Sequence, residues 1–408
     1  MGRDVYNDFL QLVRLGIGHR AGPLSANPDW EAIYAQALKH ALPAVLVDGI
    51  NDVRCKMDDV RCEGESHTSA IIHQPSFPPK ELMLQWIGET LQSFEMPRKM
   101  YLQAVASLAR FYNAHGYKMM VLKGYACSLN WPRPEHRPCG DIDIWLFGQQ
   151  QEADAAMEQW AKGSSGSRVQ EFKVDRSHHH HTVFNWGGFM VENHYDFVNV
   201  HSYRSSRRME RLFKELGAFE QKNENENQNE KLSQKAQKTQ KGYGFAHQPV
   251  ELLGERLWLP SPNLHALFLL RHLGAHFAAI DISLRQLLDW AFFAEKHTGE
   301  IDWEWLQGVL AEYGMSLFFH CVNAICVEDL GFAEEVFPKG DFDPLLKQRI
   351  LTDILSPEYP REEPAGFIPK MTYKYRRWQG NAWKQRLVYD DNRFVSFWTG
   401  LGEHIFKP

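Results

Sequence analysis

Asp141 and Asp143 stand one residue apart in the run Gly140-Asp141-Ile142-Asp143-Ile144-Trp145-Leu146. The run reads as a short strand, and side chains alternate faces along a strand. Both carboxylates therefore point the same way, while Ile142, Ile144 and Leu146 can pack on the other side. Two carboxylates held side by side on a rigid element repel each other unless a cation lies between them. The usual cation is a hard divalent ion such as Mg2+, which takes a few carboxylates and completes its shell with water and substrate phosphates. A solvated strand edge can carry the same Asp-x-Asp pattern, so the spacing by itself leaves both readings open.

The neighbouring elements must position this pair. Lys118-Met119-Met120-Val121-Leu122 is an apolar strand candidate that runs into Lys123-Gly124. A short helix candidate follows from Tyr125 to Asn130, then a Pro-rich turn from Trp131 to Cys139. Glycine at the turn lets a phosphate approach the backbone, and a helix N-terminus favours anions. Further on, Thr182 to Trp186 and Phe189 to Tyr195 read as strands joined at Gly187-Gly188, a strong hairpin signal. On the return strand Met190, Glu192 and His194 share one face, and Val191 and Asn193 the other.

Taken in order, Leu122-Lys123-Gly124, Arg137-x-x-Gly140-Asp141-Ile142-Asp143 and Val191-Glu192-Asn193-His194 resemble the nucleotidyltransferase superfamily typified by DNA polymerase beta. The closer resemblance is to an uncharacterised bacterial nucleotidyltransferase family with a helical C-terminal half. It extends to His272-x-x-x-His276 and to the run Leu284 to Asp289. The resemblance implies an α+β fold, with a small mixed-sheet core flanked by an N-terminal helical layer and a C-terminal helical domain. It implies that the Glu192 strand lies beside the Asp-x-Asp strand. Asp141, Asp143 and Glu192 would then be the catalytic carboxylates and the ligands of Mg2+, two ions in all. Lys123, Gly124, Ser128, Arg137, Gly140 and Arg285 would bind the nucleotide, with Lys123 and Arg137 neutralising phosphate charge. Two departures stand out. The family's Gly-Gly or Gly-Ser pair is Gly124-Tyr125 here, so the small hydroxyl often found on the phosphate is missing unless Ser128 substitutes. The gap from Gly124 to Asp141 is also long.

The resemblance thus implies a Mg2+-dependent transfer of NMP from an NTP to a hydroxyl acceptor. Two other readings remain. One is a catalytically inactive nucleotide-binding or protein-interaction module on the same fold. The other is a histidine-rich metal protein that uses His178-His179-His180-His181 with His194 or His201; such a run is more often an exposed loop. His272 and His276 lie one helical turn apart, yet no glutamate stands between them as in a metalloprotease, so a packed structural pair is expected. Arg285 and Asp289 have the spacing of a local ion pair.

The 408 residues form three expected regions: 1–115, helical; 116–259, the α/β core with a mobile polar insertion at 219–245; and 260–408, helical. Residues 1–50 read as helices, with Asn27-Pro28-Asp29 as a cap and Pro43 as a break. Residues 51–79 read as an exposed connection, and 80–114 as helix interrupted near Pro97. Gln151 to Lys162 and His201 to Leu216 are helix candidates, the second with a basic face of Arg204, Arg207, Arg208 and Arg211. Val169 to Val174 and Val250 to Leu259 are strand candidates. Leu264 to Phe277, Leu284 to Lys296, Trp303 to Tyr313, Leu317 to Glu328 and Leu345 to Leu355 read as apolar helices. Residues 356–369 form a linker, and Tyr373 to Trp398 an amphipathic helical tail that packs its aromatics on the body.

A net charge of −6 argues against a long nucleic acid as acceptor and leaves a small molecule or a protein. No apolar run approaches membrane-spanning length, and the start lacks a basic-then-apolar leader, so no membrane is expected. The six cysteines include no Cys-x-x-Cys pair, which fits free thiols in a reducing cytoplasm.

Overall fold

The computed structural model describes residues 3–62, 77–164, 172–200, 204–218, 244–359 and 362–391. The N-terminal helices are α1 (Arg3–Gly16), α2 (Trp30–His40), α3 (Pro43–Cys62), α4 (Lys80–Thr90) and α5 (Met96–Ala114). Trp30, Ile33, Tyr34 and Ala37 form the buried stripe of α2, and the Asp29 carboxylate caps it by accepting from the Ala32 amide at 3.0 Å. Pro43 opens α3 rather than merely ending α2, because proline costs nothing where the amide has no helical partner. Helix therefore continues to Cys62 where an exposed connection was expected. The interruption expected near Pro97 is a π-turn at Leu91–Glu95, with Pro97 in the first turn of α5.

The core comprises β1 (Met120–Val121), α6 (Tyr125–Ser128), β2 (Ile142–Trp145), α7 (Gln150–Ser164), β3 (His181–Trp186), β4 (Phe189–His194), α8 (Arg204–Gly217), β5 (Gln248–Leu252) and β6 (Glu255–Leu259). The strands form one mixed sheet in the order β3-β4-β2-β1-β6-β5. β2 runs parallel to β4 and antiparallel to β1. The stretch Val250 to Leu259 is not one strand. Leu253 and Gly254 both adopt positive φ, 50° and 83°, and fold it into the β5–β6 hairpin. The strand expected at Val169 to Val174 lies partly outside the described residues, and its described end contributes only a bridge from Asp175 to Val183. His201 and most of the polar insertion also lie outside them.

After the sheet come α9 (Pro262–Ala279), α10 (Leu284–His297), α11 (Trp303–Glu312), α12 (Ser316–Ala324), α13 (Pro344–Leu355), α14 (Phe367–Gly380) and α15 (Ala382–Val388). Almost every residue from Pro262 to Leu270 is buried, so α9 is apolar all round and runs through the middle of the protein. A Ser283–Gln286 capping box starts α10. The tail meets the expectation in part: α14 buries none of its residues, while Trp383 of α15 and Tyr389 just after it pack against the large core. No helix among the described residues is long and apolar enough to cross a membrane.

The sheet separates two cores. Ile142, Ile144, Leu146, Val121 and Val191 pack with Tyr101, Val105 and Leu108 of α5 and Met157 of α7. Met120, Leu122 and Trp145 face the other way, into a larger core that joins α1, α2 and α3 to α9, α10 and the helices after them. Helices from both ends of the chain thus share one apolar interior. Alternation along β2 sends Asp143 to that helical side, together with Trp145.

Glu210 of α8 is buried, and its Oε2 accepts from the Val198 amide at 3.0 Å. Burial, followed by repulsion from Asp196, pushes its carboxyl up to about 8 from the ordinary 4.5. Folding therefore favours the protonated form. The resulting penalty is absent below about pH 4.5, grows as the pH rises and is complete above about pH 8. Glu210→Gln is expected to unfold at higher urea than the parent at alkaline pH, by on the order of 1–3 kcal/mol, with the difference vanishing in acid.

Candidate functional site

The parallel pairing of β2 and β4 sets Asp143 directly opposite Glu192, and Trp145 opposite His194. In a parallel pair opposed residues share a face, so Asp143, Glu192 and His194 gather on one side. β4 is held in this register from behind. Asp154 of α7 accepts from Asn193 Nδ2 at 2.8 Å and from Thr182 Oγ1 at 2.7 Å, which ties β4 to β3.

Asp143 is fully buried. Its Oδ1 lies 2.7 Å from Lys123 Nζ and 3.3 Å from His194 Nε2. Its Oδ2 is buried with no hydrogen-bond partner, which is costly for a carboxylate oxygen. Burial alone would raise the Asp143 carboxyl, but the Lys123 ammonium and the His194 imidazole overcome it and hold the group well below the usual range. Asp141 goes the other way: burial, then repulsion from Asp143, raises it. Against the opposing effect of burial, hydrogen bonds to Asp143 and Glu192 push His194 up to about 9. With its Nδ1 donating to the Asp196 carbonyl at 3.2 Å, His194 is an imidazolium at neutral pH. Two cations thus balance the carboxylates.

Gly124 sits at the mouth of this group with φ +53° and ψ −105°, a conformation open to glycine. A Cβ there would meet the Tyr101 hydroxyl at 2.0 Å. That hydroxyl donates to the Asp141 carbonyl at 3.1 Å, so the turn and the start of β2 are packed backbone to backbone around Tyr101.

A cavity of about 770 Å3 opens beside these residues. Lys123, Gly124, Gly140, Asp141 and Asp143 line its core side; His272 and His276 of α9 and Arg285 and Asp289 of α10 line the opposite wall. The two histidines, expected as a packed pair, do pack edge to face with ring centroids 4.4 Å apart, and His272 Nε2 lies 3.3 Å from Lys123 Nζ. Arg137 makes a two-pronged pair with Asp289, at 2.7 and 2.9 Å, and Trp131 Nε1 donates to the same carboxylate at 2.8 Å. Arg285 holds Asp289 more loosely, at 3.7 Å.

Two expected residues sit elsewhere. Ser128 is buried, its hydroxyl donating to the Tyr125 carbonyl at 2.8 Å, and it is not among the residues that line the cavity. Glu192 adjoins Asp143 and His194 without lining the cavity itself. Conversely, Lys39 and His40 of α2 reach the cavity wall from the far end of the chain, and nothing in their local sequence marks them. The histidine run also departs from an exposed loop. His178 is exposed, His180 is half-buried and His181 is buried at the start of β3.

Breaking a buried ion pair at one end strands the other charge. Arg137→Ala is expected to cost about 3–5 kcal/mol in urea unfolding, while Arg137→Met combined with Asp289→Leu recovers most of it. Equal losses in the single and double variants would show that the pair contributes through packing alone.

Residues 26–229 and 226–331 match the profile of a family described as uncharacterised nucleotidyltransferase. No curated protein and no solved structure matches the chain. The match covers more than half of the sequence and includes the Gly124 turn, Asp141, Asp143, Glu192 and the α9–α10 wall, and the chain belongs to the uncharacterised nucleotidyltransferase family.

Proposed function

We propose that the protein is a Mg2+-dependent nucleotidyltransferase that moves NMP from an NTP to a hydroxyl of a small-molecule or protein acceptor. One observation carries this reading: a fully buried Asp143 whose Oδ2 has no partner stands in register with Glu192 and one residue from Asp141. Three carboxylates with a spare buried oxygen form a hard donor set, and that set fits Mg2+. When bound, two such ions would stabilise the attacking and leaving oxygens of an in-line displacement.

The remaining roles fall to the chain's own groups. Lys123, raised by its carboxylate neighbours against the effect of burial, stays charged and is placed to move from Asp143 to a phosphate oxygen. Gly140 leaves the cavity floor free of a side chain, which allows close phosphate approach, while Gly124 gives the turn the room that Tyr101 fills. Arg285 is the freer guanidinium and serves as the phosphate contact of the wall. Arg137 is consumed by Asp289 and acts as a positioning residue, donating from Nη1 to the Pro138 carbonyl at 3.0 Å just before Gly140. Glu192, held ionised by its hydrogen bond to His194 against the effect of burial, completes the ligand set or takes the acceptor's proton.

An inactive nucleotide-binding module is the second reading. It is favoured by the Lys123 and His194 cations, which already neutralise Asp143 without any metal. Calorimetric titration with non-hydrolysable NTP analogues, with and without Mg2+, separates the two when paired with a pyrophosphate-release assay. Transfer predicts Mg2+-dependent binding that weakens at least ~10-fold in Asp141→Asn/Asp143→Asn, with loss of pyrophosphate release. Binding without turnover would favour the module, and no binding to any nucleotide would remove both readings.

A further inference from the structure

Beside the carboxylates lies a second group of donors, of which His180 and His181 have no role in the proposed transfer. We infer that His180, His181 and His194 form a binding site for a divalent transition metal of the zinc class, adjoining the proposed Mg2+ site. One ring nitrogen from each lies within 4.8 Å of the other two. The ring centroids are 4.2 Å apart for His180 and His181, 5.3 Å for His181 and His194, and 5.6 Å for His180 and His194. Nitrogens around a zinc ion at ~2.0–2.1 Å stand roughly 3.3 Å from one another, so small side-chain rotations close the set.

The backbone prepares this geometry. His181 on β3 pairs with His194 on β4. The His180 carbonyl accepts from the amides of Tyr195 and Asp196 at 3.1 and 3.0 Å, which pins the end of the histidine run to the end of β4. The His194 Nδ1 bond to the Asp196 carbonyl orients that ring, and a metal entering the group displaces the Nε2 proton that faces Asp143, so uptake releases a proton.

The second observation is the unmet bonding. The Nδ1 atoms of His180 and His181 are both buried without a hydrogen-bond partner, although His181 as a whole is 6% exposed. Sheets rarely leave such atoms orphaned, and a metal ion satisfies lone pairs that no donor reaches. Glu192 supplies a carboxylate at the edge, its Oε2 lying 3.9 Å from His181 Nδ1 and 3.7 Å from His194 Nε2. Three imidazoles and one carboxylate select a borderline ion such as Zn2+ or Co2+, whereas Mg2+ prefers oxygen throughout. His180, half-buried, is the entry side.

The test is a Co2+ titration of the full chain, purified without immobilised metal, stripped with chelator and kept in excess Mg2+. Intense visible d–d absorption distinguishes Co2+ in a near-tetrahedral protein site from the weakly absorbing aqua ion, and no nucleotide is present, so the outcome is independent of the transfer reading. One Co2+ per chain, displaced by Zn2+, is expected. His180→Ala and His181→Ala should each weaken it at least ~10-fold. His178→Ala/His179→Ala, which changes only the outer part of the run, should leave it in place. Far-ultraviolet circular dichroism checks each fold, and His180→Gln and His181→Gln replace any alanine variant that unfolds. Absence of stoichiometric Co2+ binding, or an affinity that follows His178 and His179 instead, would overturn the inference.

Discussion

A carboxylate buried in the middle of a sheet must be compensated, and Asp143 sets that demand for the whole molecule. Its side chain is wholly removed from water, so its charge survives only because Lys123 and His194 approach from two directions. Lys123 arrives from the turn after β1, and His194 from the end of β4. The sheet order that brings β1 and β4 to the two sides of β2 is therefore also an electrostatic arrangement. The partnerless Oδ2 shows that the compensation is incomplete, and this gap is where a further cation fits.

The surrounding architecture keeps this arrangement dry on one side and open on the other. Behind β2, α5 and α7 pack an apolar layer, with Asp154 as a polar pin that holds β4 through Asn193. In front, α9 and α10 do not close onto the sheet. They stop at a cavity, where the Arg137–Asp289 pair links the loop before β2 to the helical wall. A two-pronged pair fixes orientation as well as distance, so the wall and the loop that carries Gly140 are held as one body. The large core on this side joins helices from both ends of the chain, which is how Lys39 and His40 of α2 come to border the same space.

Histidines give the site its second character. His194 belongs to both donor groups, one with Asp143 and Glu192, the other with His180 and His181. A hard oxygen set and a softer nitrogen set therefore meet at a single ring. His272, packed edge to face with His276 and facing Lys123, extends the imidazole layer across the cavity. Burial keeps His272 well below the ordinary histidine range, with the Lys123 charge adding to it, so the ring stays neutral where it faces the proposed phosphate path.

Much of this was legible in the residues. Alternation along Ile142 to Trp145 sends Asp143 and Trp145 to one face, and Asp141, just before that strand, lines the same cavity as Asp143. Gly187-Gly188 announced the hairpin, and helical spacing marked α2, α9 and α10. Local pattern misled where one signal had two meanings. Pro43 can end a helix or begin one, and Val250 to Leu259 alternates equally well as one strand or as two around Leu253-Gly254. What only the tertiary structure decided was adjacency. Parallel pairing of β2 with β4 joins residues about fifty positions apart, and no period in the chain encodes which strand lies beside which. The Arg137–Asp289 pair, the inward turn of His180 and His181 and the approach of Lys39 depend on the same long-range packing. Spacing along the chain specifies which face a side chain takes; burial of apolar surface between distant elements specifies what it meets there.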